Sequence, residues 1–155
     1  MASAFRLALG GVLQGEVRLD VRTLLLVFQV NCPGCFQYVL PLAEEVHGAR
    51  ADGGMAVLGI STAFEDFDLN SVENTRALLD VGTVVGETRE SLGTDRYGGR
   101  ISFPVAADAG MDEAVGETFA TNRLRGTPSW IILEPDGEVL AHHFGRLPVA
   151  EAPRS

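Results

Sequence analysis

The chain is poor in cysteine, has no lysine and holds no long apolar run. Its 155 residues contain two cysteines, too few for the disulfide framework that staples small secreted domains. A domain of this length buries a core without staples. All 12 basic residues are arginine, set against 21 acidic ones, for a formal charge of −9. So acidic a surface argues against nucleic acid and anionic membranes as partners. No stretch of about 18 apolar residues occurs, which excludes a membrane-spanning helix. The opening segment, Met1 to Leu13, has a short apolar core broken by Gly10 and Gly11 and lacks a clean cleavage site. It reads as a first β-hairpin strand rather than an export signal. The cytoplasm is therefore the expected compartment, with the periplasm the alternative if an export signal has been removed. One domain over 1–148 is expected, followed by a polar tail, 149–155, that frays.

The two cysteines are Cys32 and Cys35, separated by Pro33 and Gly34. They stand where the apolar run Leu24-Leu25-Leu26-Val27-Phe28 gives way to a helical pattern. A thiol at a helix start faces unpaired N–H groups and the positive end of the helix dipole, both of which favour the thiolate. The thiolate is the attacking species in disulfide exchange, and a second cysteine one turn on can displace the substrate. Half of a zinc site is another use of C-x-x-C, but structural zinc takes four ligands at short paired spacings. There is no second cysteine pair, and His47, His142 and His143 form no H-x₃₋₅-H pair. No metal and no cofactor are expected. Two inert buried cysteines are a further reading, which the intervening Pro33 and Gly34 oppose.

Around this motif the pattern alternates strand and helix. Val12 to Val21 reads as a half-buried strand with Gly15 offering a turn, and Thr23 to Val30 as a strand covered on both faces. A helix from about Pro33 to His47 carries Val39, Leu40, Leu42, Ala43 and Val46 as its apolar stripe, with a kink at Pro41. Met55 to Ser61 is a second buried strand, completing a right-handed βαβ unit. Helices are expected at Ser71–Leu79, Val84–Leu92 and Asp112–Thr121. Phe103 to Asp108 is extended, and Ser129–Leu133 and Glu138–His143 form a hairpin around Glu134-Pro135-Asp136-Gly137. His47 reads as a helix C-terminal residue meeting the dipole. Adjacent His142 and His143 face opposite ways on a strand and do not share a metal easily. Trp130 reads as core or pocket wall.

The strand entering Cys32-Pro33-Gly34-Cys35, the Phe103-Pro104-Val105 to Asp108 segment, Arg125-Gly126-Thr127-Pro128-Ser129 and the Pro135-Asp136-Gly137 turn resemble, in order and spacing, the thioredoxin superfamily, and more closely its TlpA-like or redoxin branch. The resemblance covers nearly the whole chain. It implies an α/β thioredoxin-like fold, a central mixed sheet with helices on both faces. It implies a thiol–disulfide oxidoreductase in which Cys32 attacks and Cys35 resolves. Its substrates would be protein or small-molecule thiols and disulfides, with a reductase partner to recycle it. Thr127-Pro128 would be a cis peptide beside the disulfide. Thr127, Pro128, Pro33 and Gly34 would frame an extended substrate that pairs with the Thr127 backbone. The departures are Asn31 where thioredoxins place Trp, and Leu26 and Tyr38 at positions where relatives keep an acid. A peroxiredoxin-like thiol peroxidase is the rival enzyme, but Leu25 and Gln29 stand where its Pro and Thr or Ser belong. A non-catalytic binding module of the same fold is the other alternative.

Overall fold

The computed structural model describes residues 5–50 and 55–145. Six strands form one sheet in the order β1-β4-β3-β2-β5-β6. They are β1 (Leu9–Gln14), β2 (Thr23–Phe28), β3 (Ala56–Ser61), β4 (Val105–Asp108), β5 (Ser129–Leu133) and β6 (Val139–Phe144). β2, β3 and β4 run parallel, while β1, β5 and β6 are antiparallel to their neighbours. The helices are α1 (Leu40–Gly48), α2 (Val72–Val81), α3 (Gly86–Leu92) and α4 (Glu117–Thr121).

Every residue of β2 is buried, because successive side chains point to opposite faces and both faces are covered. Leu24, Leu26 and Phe28 pack with Phe36, Val39, Leu40, Ala43 and Val46 around α1 and with Leu78 of α2. Leu25 and Val27 pack on the other face with Leu58, Ile60, Phe119 of α4 and Leu124. Helices thus cover both faces of a mixed sheet, as the thioredoxin-like reading requires.

Three elements differ from the sequence reading. Val12–Val21 is not one strand, and the first strand belongs to no hairpin. β1 begins at Leu9 and pairs with β4, joining Leu9 to Asp108 and Gln14 to Val105. Gly15, at φ +72°, turns the chain away. Val17 and Leu19 keep the expected alternation and pack on the Leu25 face without a ladder. The Thr23 hydroxyl serves the carbonyls of Arg18 and Val21 instead. The helix expected over Asp112–Thr121 shrinks to α4. Gly116 lies against Asp108 and Thr62 with no room for a Cβ, and the Asp108 carboxylate accepts from the N–H groups of Thr118 and Phe119. The helix therefore starts there, and Ala114 and Val115 stay exposed.

The third difference is the form of the Pro41 kink. The turn Cys35–Val39 is a π-helix, with the Leu40 N–H donating to the Cys35 carbonyl, and α1 follows it. In a regular helix the proline ring would strike the carbonyl four residues back, that of Gln37. One widened turn avoids the clash. The tail expected at 149–155, and the end of the domain expected at 148, lie outside the described residues.

Candidate functional site

Parallel β2 delivers the chain at its C-terminal end, the end at which open α/β sheets place their sites. Val30 and Asn31 lead directly into Cys32. Asn31 is buried and ties three segments together. Its N–H donates to Asn70 Oδ1 at 2.8 Å and its Nδ2 to Asp66 Oδ2 at 2.9 Å. Its Oδ1 accepts from the Glu87 N–H at 2.8 Å, at the start of α3. This small amide occupies the position where thioredoxins place Trp, and it anchors the loop after β3 in place of a ring.

Cys32 is half-buried and Cys35 fully buried, and both are free thiols. The Cys35 N–H donates to the Cys32 carbonyl at 3.0 Å, closing the first turn around Pro33 and Gly34. Cys32 Sγ lies 3.7 Å from the Thr127 carbonyl, to which it donates. Thr127-Pro128 is a cis peptide, as the resemblance implies. The structure therefore brings Cys32, Cys35 and Thr127-Pro128 to one place from segments about ninety-five residues apart.

The Cys32 thiol is lowered from the ordinary 9.0 to about 7. Hydrogen bonding from Cys35 is the largest cause, burial opposes it, and the Thr127 hydroxyl and the Cys35 N–H assist. The sequence argument rested on the helix dipole; in the structure the neighbouring thiol contributes most. Burial pushes Cys35 well up, with the facing Cys32 adding to it. The two thiols are thereby held apart in acidity. Glu65, exposed on the loop after β3, is the carboxylate whose charge reaches Cys32, and it opposes the thiolate. Leu26 is fully buried in the core and Tyr38 is exposed.

Sequence reasoning passed over Gln29 and Thr88 as site residues. Gln29 is 1% exposed. Its side chain meets Phe64, Asn70 and Thr127. One signal was available. Gln29 is the only polar residue in Leu24–Val30, and a polar group in so apolar a strand must find partners. Thr88 carried no such mark, since its role depends on where α3 docks.

The histidines lie elsewhere. His47 closes α1 as expected, and burial, then Arg50, lower its pKa. A cavity of about 600 Å³ beside His47 and Arg50 opens at the start of β3, away from the cysteines. His142 and His143 sit opposite Ile131 and Trp130 on β6. Trp130 is core. Among the described residues no group of three or more His, Cys, Asp or Glu side chains is placed to hold a metal ion, and no helix is long and apolar enough to cross a membrane.

No family model and no curated protein sequence matches the chain. Solved structures do. A thiol-disulfide isomerase from Corynebacterium glutamicum superposes with a TM-score of 0.73 at 24% identity, over 96% of this chain and 90% of that one. A thioredoxin-like superfamily protein gives 0.73 at 28% identity, over 97% and 90%. StoA from Bacillus subtilis shares the fold at 0.57 and 16% identity, over 95% and 91%. Sheet topology, motif order and these likenesses together give the chain a thioredoxin-like fold, similar over nearly its whole length to a thioredoxin-like superfamily protein.

Proposed function

We propose that the protein exchanges disulfides with protein or small-molecule thiols through Cys32 and Cys35. The observation that supports this most is the split in acidity between a half-buried Cys32, at about 7, and a sealed Cys35 held as a thiol. Cys32 thiolate attacks one sulfur of a substrate disulfide, forming a mixed disulfide and releasing the other sulfur as a thiolate. Cys35 then gives up its proton to solvent and attacks Cys32, closing the Cys32–Cys35 disulfide and freeing the second substrate thiol. Two electrons pass to the substrate, and an external dithiol or reductase partner restores the pair. The reverse sequence oxidises a dithiol.

Thr127 and Pro128 on one side and Pro33 and Gly34 on the other would flank an extended substrate at Cys32. The reading needs no cofactor, and it keeps the cytoplasm as the working compartment. The test is a redox equilibrium against glutathione together with insulin reduction. A defined equilibrium that disappears in Cys32→Ser, with mixed disulfides accumulating in Cys35→Ser, is the expected result. Absence of both activities in the reduced protein would instead favour a binding module, and consumption of peroxide a thiol peroxidase.

A further inference from the structure

The buried amide of Gln29 has only one possible orientation. The Phe64 N–H can only donate, so the atom 2.9 Å from it is Gln29 Oε1. The Asn31 N–H also can only donate, so its partner at 2.8 Å is Asn70 Oδ1. That turns Asn70 Nδ2 toward Gln29 Oε1 at 3.0 Å and the Glu65 carbonyl at 2.8 Å. Gln29 Nε2 is left facing Thr127 Oγ1 at 3.5 Å, and it must donate. A hydroxyl that accepts there keeps one proton to give; Cys32 Sγ lies 3.7 Å from the carbonyl of the same residue, and the Thr127 side chain lowers the pKa of both cysteines.

We infer that Gln29 is a positioning residue for the thiol pair: by donating to Thr127 Oγ1 it turns that hydroxyl's proton toward the sulfurs, so that an amide and a hydroxyl, both neutral, hold the Cys32 thiolate. The inference deepens the proposed exchange reaction and rests on Cys32 as its nucleophile. It also gives the polar residue of the apolar run Leu24–Val30 a task that Leu at the same place could not perform. The charged groups nearby do not do this work. Glu65 opposes the thiolate, Asp66 is engaged by Asn31 Nδ2, and only the backbone N–H of Glu87 bonds to Asn31.

The experiment titrates the Cys32 thiolate by ultraviolet absorbance in the Cys35→Ser background. Thr127→Val should raise the midpoint by about one pH unit, roughly tenfold less thiolate at a given pH below it. Gln29→Leu should raise it too, and the double variant should go no higher than Thr127→Val alone. Additive shifts, or a Gln29→Leu midpoint unchanged while Thr127→Val moves, would overturn the inference. Should Gln29→Leu not fold, Gln29→Glu keeps the acceptor for Phe64 and Asn70, reverses the bond to Thr127, and adds a carboxylate whose charge acts on the thiolate in either background. Its midpoint should rise more with Thr127 present than in the Thr127→Val background; equal rises would overturn the inference. The readout is an acidity and not an activity. Coupled shifts in a protein inert toward insulin and glutathione would retain the inference and discard the exchange reaction.

Discussion

Thr88 holds Cys32 by its backbone: the Cys32 N–H donates to Thr88 Oγ1 at 2.9 Å, while the same hydroxyl donates to the Val30 carbonyl at 2.8 Å. One fully buried side chain on α3 thus grips the exit of β2 on both sides of Asn31. Thr88→Val keeps the shape and leaves a buried N–H and a buried C=O without partners. The expected loss is about 1–3 kcal/mol in the unfolding free energy of the reduced protein, measured by urea denaturation. Thr88→Ser should recover most of it.

Alkylation of the reduced protein should report the split between the thiols. Cys32 lies at about 7, below its ordinary 9.0. Its reaction with iodoacetamide should therefore level off above neutrality and fall about tenfold for each pH unit below 7. The same displacement links to folding. Because the folded value is the lower one, the Cys32 contribution to stability is complete above pH 9 and fades as the pH falls toward 7. Cys35 is displaced the other way, so it should stay unlabelled until the chain unfolds. Mass spectrometry of peptides labelled across a pH series checks both points.

Gly86 sits at φ +53°, and a Cβ there would lie 2.6 Å from Asn31 Oδ1 and 2.7 Å from Leu69 Cδ1. Gly93, at φ +69°, has open space around the same position. Both alanine variants carry the left-handed backbone cost of about 1–2 kcal/mol, but only Gly86→Ala must also displace Asn31. It should be the less stable of the two by urea denaturation. It alone should shift the thiol–disulfide equilibrium, since Asn31 adjoins Cys32. Equal effects of the two variants would show that Asn31 yields without consequence.

Asp108 is 1% exposed and receives three donors: Thr118 N–H at 2.7 Å, Thr62 Oγ1 at 2.7 Å and Phe119 N–H at 3.1 Å. An amide supplies one oxygen where these donors need two. Asp108→Asn should cost about 1.5–3 kcal/mol, the range for hydrogen bonds to a charged group. Thermal unfolding measures it, and amide exchange at Phe119 should rise if α4 has lost its start.

The strands and the cysteine pair were legible because their signals are local. A continuous apolar run marks β2, the Glu134-Pro135-Asp136-Gly137 turn marks the hairpin of β5 and β6, and Cys32 to Cys35 is four residues long. Ser71 caps α2 through its bond from the Asn74 N–H, three residues on, and that helix was found where expected. What failed was set at a distance. The pairing of β1 with β4 follows from which sheet edge stays open, and periodicity in Val12–Val21 cannot carry that information. The start of α4 is fixed by a carboxylate ten residues earlier in the chain. Gln29 finds Phe64 thirty-five residues on and Thr127 ninety-eight residues on. Buried polar networks of this kind are written into composition only as a misplaced amide in an apolar strand.

Cys35 has no solvent-exposed surface, and that isolation governs timing. A sulfur that no outside thiol can reach has one accessible partner, Cys32, one turn away and in contact with it. Its attack is unimolecular, with an effective molarity set by the geometry of that turn and independent of the thiol concentration around the protein. The lifetime of any mixed disulfide on Cys32 is therefore a property of the folded chain. Loosening the π turn that seats Cys35 would lengthen that lifetime and, by withdrawing the hydrogen bonding that lowers Cys32, slow the first attack as well.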